Sequence, residues 1–316
     1  MALGRGRHVF SSSKGSTRSA FRTLQGSLVS SLTSGVHGVA EALFTTLFPS
    51  DCRLCSVPLV NISRLPVCEH CLSSIRPLAG GLCSICGERL AVSMEDGRPR
   101  PSSTDPDGLI SKGEARCALC NRAEPPYVKA AVYGSYEGGL RELIHLLKYD
   151  GVRPAANVLG RMLSDATVPL RPLFAEGPVM VVPVPLHVRK RRQRGFNQAE
   201  LIARAAVKLD PSRRLELKPV LERLRETQSQ IGLSRHQRRE NLRGAFAVTE
   251  PEAIRGREAL LVDDVFTTGT TASECARVLH RAGAAKVYVA TVARTLKLEA
   301  QGARLEPATM TMAAAS

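Results

Sequence analysis

Asp263 and Asp264 stand side by side after an apolar run, Ala259-Leu260-Leu261-Val262, and shortly before Thr267-Thr268-Gly269-Thr270-Thr271. The run is long enough for a strand buried on both faces, ending at the two acids. Ala272, Cys275, Ala276, Leu279 and Ala282 then recur at the three-and-four spacing of a one-sided helix, which Gly283 closes. A helix N-terminus offers unpaired backbone N–H groups and the positive end of a macrodipole, so the turn before it suits a phosphate. The four threonines add hydroxyl donors, and Gly269 admits close approach of a ligand to the backbone. The carboxylates would repel a phosphate; they suit a sugar diol or a divalent cation. One ligand satisfies both halves: a ribose 5-phosphate with its 2- and 3-hydroxyls free.

The elements that must position this turn come from both sides of it in the sequence. Val287 to Val292 supplies a second buried strand, completing a strand–helix–strand unit of the parallel-sheet kind. Earlier, Tyr127 to Tyr133 reads as a strand and Glu137 to Tyr149 as a helix with Leu140, Leu143, Ile144 and Leu147 on one face. Lys148, at that helix end, could reach a phosphate or be solvated. Val179 to Pro185 reads as a buried strand whose prolines fall at its C-terminal end. Ligands of open α/β sheets bind outside such ends. The run Arg189, Lys190, Arg191, Arg192 and Arg194 follows at once, and guanidinium groups there could grip pyrophosphate oxygens. Most of that run reads equally as a solvated charge cluster. Arg194 and Gly195, next to a helix over Asn197–Leu209, are the stronger binding candidates. Glu226 to Phe246 is polar and basic without a sustained period, and predicts a mobile loop closing over the ligand. Gln228, Arg235, Arg238, Arg239 and Asn241 could meet a diphosphate or nucleic acid from it.

The segment LLVDDVFTTGTT resembles the phosphoribosyl-pyrophosphate (PRPP) binding motif of type I phosphoribosyltransferases. In that family paired acids hold the ribose hydroxyls and the Thr/Gly loop cradles the 5-phosphate. Carried onto this chain, the resemblance implies Asp263 and Asp264 as the catalytic pair and Thr267, Thr268, Gly269, Thr270 and Thr271 as the phosphate loop. A P-loop is excluded because no lysine follows the glycine, and a dinucleotide fold because Gly-x-Gly-x-x-Gly is absent. A receiver domain is excluded because no aspartate follows Asp264.

Cysteine spacing supplies the second signal. Eight of the nine cysteines form four CxxC pairs: Cys52/Cys55, Cys68/Cys71, Cys83/Cys86 and Cys117/Cys120. Each pair is a zinc half-site, so four half-sites predict two structural zinc ions, each closed by four thiolates. Sequential pairing is simplest, and an interleaved one fits the spacing too. Disulfides would need an oxidising compartment. His70 falls between Cys68 and Cys71, where a solvent-facing place is expected. Residues 87–116 hold prolines, serines and alternating charges, and read as a flexible insertion in the second ribbon. Zinc ribbons bind nucleic acid or protein in some proteins and only brace a neighbouring domain in others.

The chain has 316 residues, 43% hydrophobic and 4% aromatic with no Trp, which is enough for about two domains packed on aliphatic side chains. A net charge of +15 favours anionic partners. No run is long and apolar enough to span a membrane, and no secretory signal is evident, so a cytoplasmic protein is expected. Residues 1–35 read as a disordered basic segment, 36–126 as a short helix (Val36 to Phe48) and the ribbons, 127–296 as the sugar-phosphate domain and 297–316 as a tail.

In order, the four CxxC pairs, YVKAAVYGSYEGGLRELIHLLKYDG, VVPVPLHVRKRRQRGFNQAELIA, TQSQIGLSRHQRRENLRGAF and LLVDDVFTTGTT resemble the ComF family from about Leu47 to Arg294. The resemblance implies an α/β fold: a type I phosphoribosyltransferase-like parallel sheet flanked by helices, behind an N-terminal double zinc ribbon. It implies PRPP with Mg2+ as ligand and a link to DNA uptake in natural competence. Two alternatives stay open: a non-catalytic single-stranded DNA binding module on the same fold, and a nucleotide-salvage phosphoribosyltransferase.

Overall fold

A computed structural model describes residues 51–59, 63–90, 92–95, 98–101, 115–227 and 235–296, with backbone alone for 92–95, 98–101 and 235. The expected N-terminal segment, the Val36 to Phe48 helix, Gln228 and the C-terminal tail lie outside the described residues. By internal contacts the chain divides into Met1–Cys68 and Glu69–Ser316.

In chain order the elements are α1 (Glu69–Ser74), β1 (Val92–Glu95), β2 (Arg98–Pro101), α2 (Ala118–Arg122), β3 (Ala130–Ser135), α3 (Gly138–Lys148), α4 (Ala155–Thr167), a 3-10 turn (Val168–Leu173) and β4 (Val179–Pro183). They continue with α5 (Val188–Arg194), α6 (Gln198–Lys208), β5 (Leu215–Leu217), β6 (Leu221–Arg223), α7 (Arg235–Leu242), β7 (Phe246–Val248), α8 (Pro251–Ile254), β8 (Glu258–Phe266), α9 (Thr270–Arg281) and β9 (Lys286–Arg294). Five strands form one sheet in the order β3-β9-β8-β4-β5, parallel throughout. Its central strands are continuous apolar runs because helices cover both faces: every residue of β4 is buried, as are Ala259 to Val262 of β8 and Val287 to Arg294 of β9. The fold class expected from the sequence is the one observed.

Within the first unit the chain around Cys52 makes a tight knuckle. Cys52 N–H donates to Val57 O at 2.8 Å, Ser56 N–H donates to Cys52 O at 2.8 Å, and Ser56 takes φ +59°. The second unit repeats it: Cys83 N–H donates to Glu88 O at 2.7 Å, Gly87 N–H donates to Cys83 O at 2.9 Å, and Gly87 takes φ +69°. The same turn, one residue past the second cysteine, therefore shapes both ribbons. Cys83, Ile85, Cys86, Cys117 and Cys120 share one buried cluster with Met180, Val182, Leu261, Phe266 and Val289, so the second ribbon packs directly on the sheet domain.

Three expectations change. β8 does not stop before the acids but runs through them to Phe266, paired along its length with β9. The polar stretch expected as a loop contains α7, which lacks an apolar stripe and is pinned through fully buried Leu242. Its Arg, Gln and Glu residues are good helix formers whatever the periodicity. The insertion at 87–116 contains an antiparallel pair, β1 with β2, in register from Val92↔Pro101 to Glu95↔Arg98. The residues between them are Asp96-Gly97, a dipeptide that favours two-residue hairpin turns.

Candidate ligand site at the strand–helix junction

β8 alternates its side chains, so the adjacent acids leave the strand on opposite faces. Asp263, half-buried, lines a depression with Thr267, Gly269, Thr271 and Thr291, a space of about 240 Å³ including open solvent. Asp264 is 4% exposed and forms an ion pair with Lys148, whose side chain is itself 15% exposed. Gln198 is a further neighbour that favours the Asp264 charge. Arg194 Nη1 in turn donates to Gln198 Oε1 at 2.6 Å. The end of α3, the end of α5 and the start of α6 thus converge on one carboxylate.

The electrostatics of the two acids diverge. Burial and the neighbouring Asp264 charge push the Asp263 carboxyl well above the usual carboxylate range. Burial also opposes the Asp264 charge, yet Lys148 and the hydrogen bonds outweigh it and hold that carboxyl below its ordinary value. Burial works against the Lys148 ammonium, and the Asp264 and Asp263 charges more than offset it, raising Lys148. Two like charges on adjacent residues cannot both be stabilised by one lysine. Asp264 receives the lysine, and Asp263 faces the depression without it.

The phosphate side of the junction is open at its backbone. Gly269 takes φ +73° at the N-cap of α9 and, as glycine, brings no side chain to cap that helix. The left-handed conformation requires glycine here, and a Cβ would also lie 2.6 Å from the Phe266 ring. Thr268 and Thr270 hydroxyls hydrogen-bond each other at 2.8 Å, and Thr267 is exposed. Thr291, opposite Asp263 in the β8–β9 register, is 1% exposed, and its Oγ1 lacks any hydrogen-bond partner. A buried hydroxyl left unpaired beside a carboxylate and a glycine-started helix N-terminus is a place for a polar ligand atom.

The remaining predicted residues separate into groups. Gly195 (φ +77°) closes α5 in left-handed conformation, which turns the chain toward α6. Asn197 caps α6, accepting from Ala199 N–H at 3.1 Å while its Nδ2 donates to Val184 O at 3.0 Å. Arg189, Lys190, Arg191 and Arg192 are exposed on α5. Arg239 lies apart from the Asp263 depression, in a second space of about 520 Å³ lined also by Thr268, Arg277, Arg294, Tyr127 and Cys120. Arg235 begins α7. Sequence reasoning missed Gln198, Thr291 and Arg223. Arg223, at the end of β6, donates to the Thr227 hydroxyl and stacks 5.4 Å from the Phe246 ring centroid. Burial holds it below the usual arginine value, partly countered by the Cys275 and Asp263 charges.

The cysteines gather as sequential pairing predicts. In the second ribbon the sulfurs of Cys83, Cys86, Cys117 and Cys120 lie within 4.8 Å of one another, with Cys86 to Cys117 at 3.6 Å. In the first, Cys52, Cys55, Cys68 and Cys71 meet the same limit, with Cys55 to Cys68 at 3.7 Å. A tetrahedral zinc with bonds of about 2.3 Å holds its sulfurs about 3.8 Å apart, so both sets fit structural zinc. His70 is exposed and belongs to neither set.

Comparison with known proteins agrees with this anatomy. Residues 43–101 match the double zinc ribbon domain family and residues 200–311 the phosphoribosyl transferase domain family. DNA utilization protein YhgH of Escherichia coli K12 is 32% identical over 252 residues, spanning 78% of this chain and 98% of the relative. Competence protein F of Haemophilus influenzae is 30% identical over 72% of this chain and 96% of its own length. Competence protein ComFC of Bacillus subtilis is 25% identical over 83% of this chain and 97% of the relative. With two four-cysteine clusters ahead of a phosphoribosyltransferase-like parallel sheet, the chain belongs to the ComF family.

Proposed function

We propose that the protein binds PRPP with Mg2+ at the β8–α9 junction, as a phosphoribosyltransferase-family protein serving DNA uptake. The observation that carries this reading is the shared depression: the Asp263 carboxylate, unpaired Thr291 Oγ1 and the glycine-started α9 N-terminus line one space. The 5-phosphate rests on the α9 N–H groups and the loop Thr267 to Thr271. Asp263 accepts a hydrogen bond from a ribose hydroxyl. Asp264 acts one step back, holding Lys148 and Gln198 so that Arg194 is aimed across the end of β8. Bound Mg2+ would neutralise charge on the leaving pyrophosphate. Arg194 and Lys148 place cations on the side where that group departs, whereas Arg239 faces the separate space beside the second ribbon. In turnover the anomeric carbon would pass through an oxocarbenium-like state as the acceptor bonds to it and pyrophosphate leaves.

A role with DNA rests on the likeness to a DNA utilization protein and a competence protein and on the exposed cations of α5, which suit a phosphate backbone. Among the described residues no helix is long and apolar enough to cross a membrane. The cytoplasm, where zinc-binding thiols stay reduced, is the compartment that fits. Calorimetric titration with PRPP tests the reading. Binding should require Mg2+ and fall at least tenfold in Asp263→Asn; undiminished binding in that variant overturns the site.

A further inference from the structure

Tyr149 is the most exposed large hydrophobic residue among the described residues, at 70%, and it stands beside the proposed site. It follows Lys148, whose side-chain ammonium reaches Asp264, so the ring stands at the end of the helix that delivers that lysine to the acid pair. Its ring is held, although its face is open. His145 packs edge-on against it with centroids 5.1 Å apart and planes at 74°, and Tyr136 Oη holds His145 Nε2 at 2.9 Å. The Arg194 guanidinium carbon lies 5.8 Å from the ring centroid, while Arg194 Nη1 is fixed on Gln198 at 2.6 Å. A ring flanked by His145 and Arg194 yet left in water forgoes the burial that normally stabilises an aromatic side chain. In a chain with no Trp and only five Tyr, such a placement is conspicuous.

Location supplies the chemistry. With the 5-phosphate on α9, on the Asp263 face of β8, the ribose spans the strand end. On the PRPP reading, the anomeric carbon would face the Asp264 side, where Lys148 pairs with the acid and Arg194 lies over the Tyr149 ring. A flat π face backed by a guanidinium suits a planar, electron-poor heteroaromatic ring. We propose that Tyr149, stiffened by His145 and Arg194, is the stacking platform for a nucleobase, and so orients the acceptor side of the reaction. This inference rests on the PRPP reading for its meaning, though stacking can be measured without it. The base could be free or belong to a single strand lying along the cations of α5.

The test uses the full zinc-loaded chain and three probes: 2-aminopurine base with PRPP and Mg2+ present, a single-stranded oligonucleotide with one 2-aminopurine, and the same strand abasic at that position. The absence of Trp leaves the probe fluorescence clean. Wild-type protein should bind at least one fluorescent probe more tightly than the abasic strand. Tyr149→Ala should weaken that binding roughly ten- to hundred-fold, and Tyr149→Phe should restore it. Preference for the free base marks a salvage-type acceptor, and preference for the strand marks a DNA base; either supports the platform. Equal binding by wild type and Tyr149→Ala, or equal affinity for fluorescent and abasic strands with no binding of the free base, overturns it. PRPP calorimetry on the same samples separates the two ideas: failed PRPP binding with intact stacking removes the proposed function alone.

Discussion

Replacing Arg294 by Met is the sharpest perturbation of how the second ribbon supports the ligand loop. The Arg294 guanidinium is 3% exposed, donates to Cys86 O at 2.7 Å and to Glu88 Oε2 at 2.6 Å, and lies 4.6 Å from the Phe266 ring centroid. The next residue, Thr295, donates its N–H to Phe266 O at 3.0 Å. Phe266 is the ring that a Cβ on Gly269 would strike, so one arginine links the zinc knuckle to the phosphate turn. Met keeps the aliphatic stem but leaves Glu88, 8% exposed, without its guanidinium. Breaking a buried pair this way costs about 3–5 kcal/mol. For a domain of this size that lowers Tm by roughly 10 °C. Adding Glu88→Gln removes the stranded charge and should recover about 1–3 kcal/mol. Urea denaturation of the four zinc-loaded proteins completes a double-mutant cycle, with a coupling energy of about 2 kcal/mol expected. A loss below about 1 kcal/mol for Arg294→Met, or strict additivity with Glu88→Gln, refutes the strut.

The two adjacent acids should respond oppositely to isosteric neutralisation. Asp263 has a raised carboxyl, so its ionisation costs stability as pH rises through that elevated value. Asp263→Asn should therefore be more stable than wild type near neutrality, the gap closing toward pH 4. Asp264 has a depressed carboxyl, whose stabilisation is present above the unfolded value and lost on acidification; Asp264→Asn should cost about 3 kcal/mol near neutrality by stranding Lys148. Thermal melts across pH check both signs. Atomic emission should find two zinc ions per chain, and stripping them should unfold the ribbons while lowering PRPP affinity through Arg294; unchanged affinity in the stripped protein would break that link.

Contiguous features were legible in the sequence, and assembled ones were not. The strand, turn and helix around Asp263 are encoded within one stretch, and the CxxC spacing names its own ligands. Asn197 announces α6 because capping is a local interaction. Gln198, Thr291 and Arg223 reach the site only through the packing of α6, β9 and β6, so no local pattern marks them. The division of labour between Asp263 and Asp264 depends on β8 staying extended through both, which follows from pairing with β9 over Asp263↔Thr291 and Val265↔Ala293. Apolar periodicity could not find α7, whose single deeply buried anchor is Leu242.

Recognition of a sugar diol is best examined by comparing ribose 5-phosphate with 2-deoxyribose 5-phosphate in competition with PRPP. A hydroxyl hydrogen-bonded to a carboxylate is worth about 1.5–3 kcal/mol, so the deoxy sugar should bind at least tenfold more weakly. That discrimination should vanish in Asp263→Asn. Equal affinities for the two sugars in the wild-type protein would contradict the account.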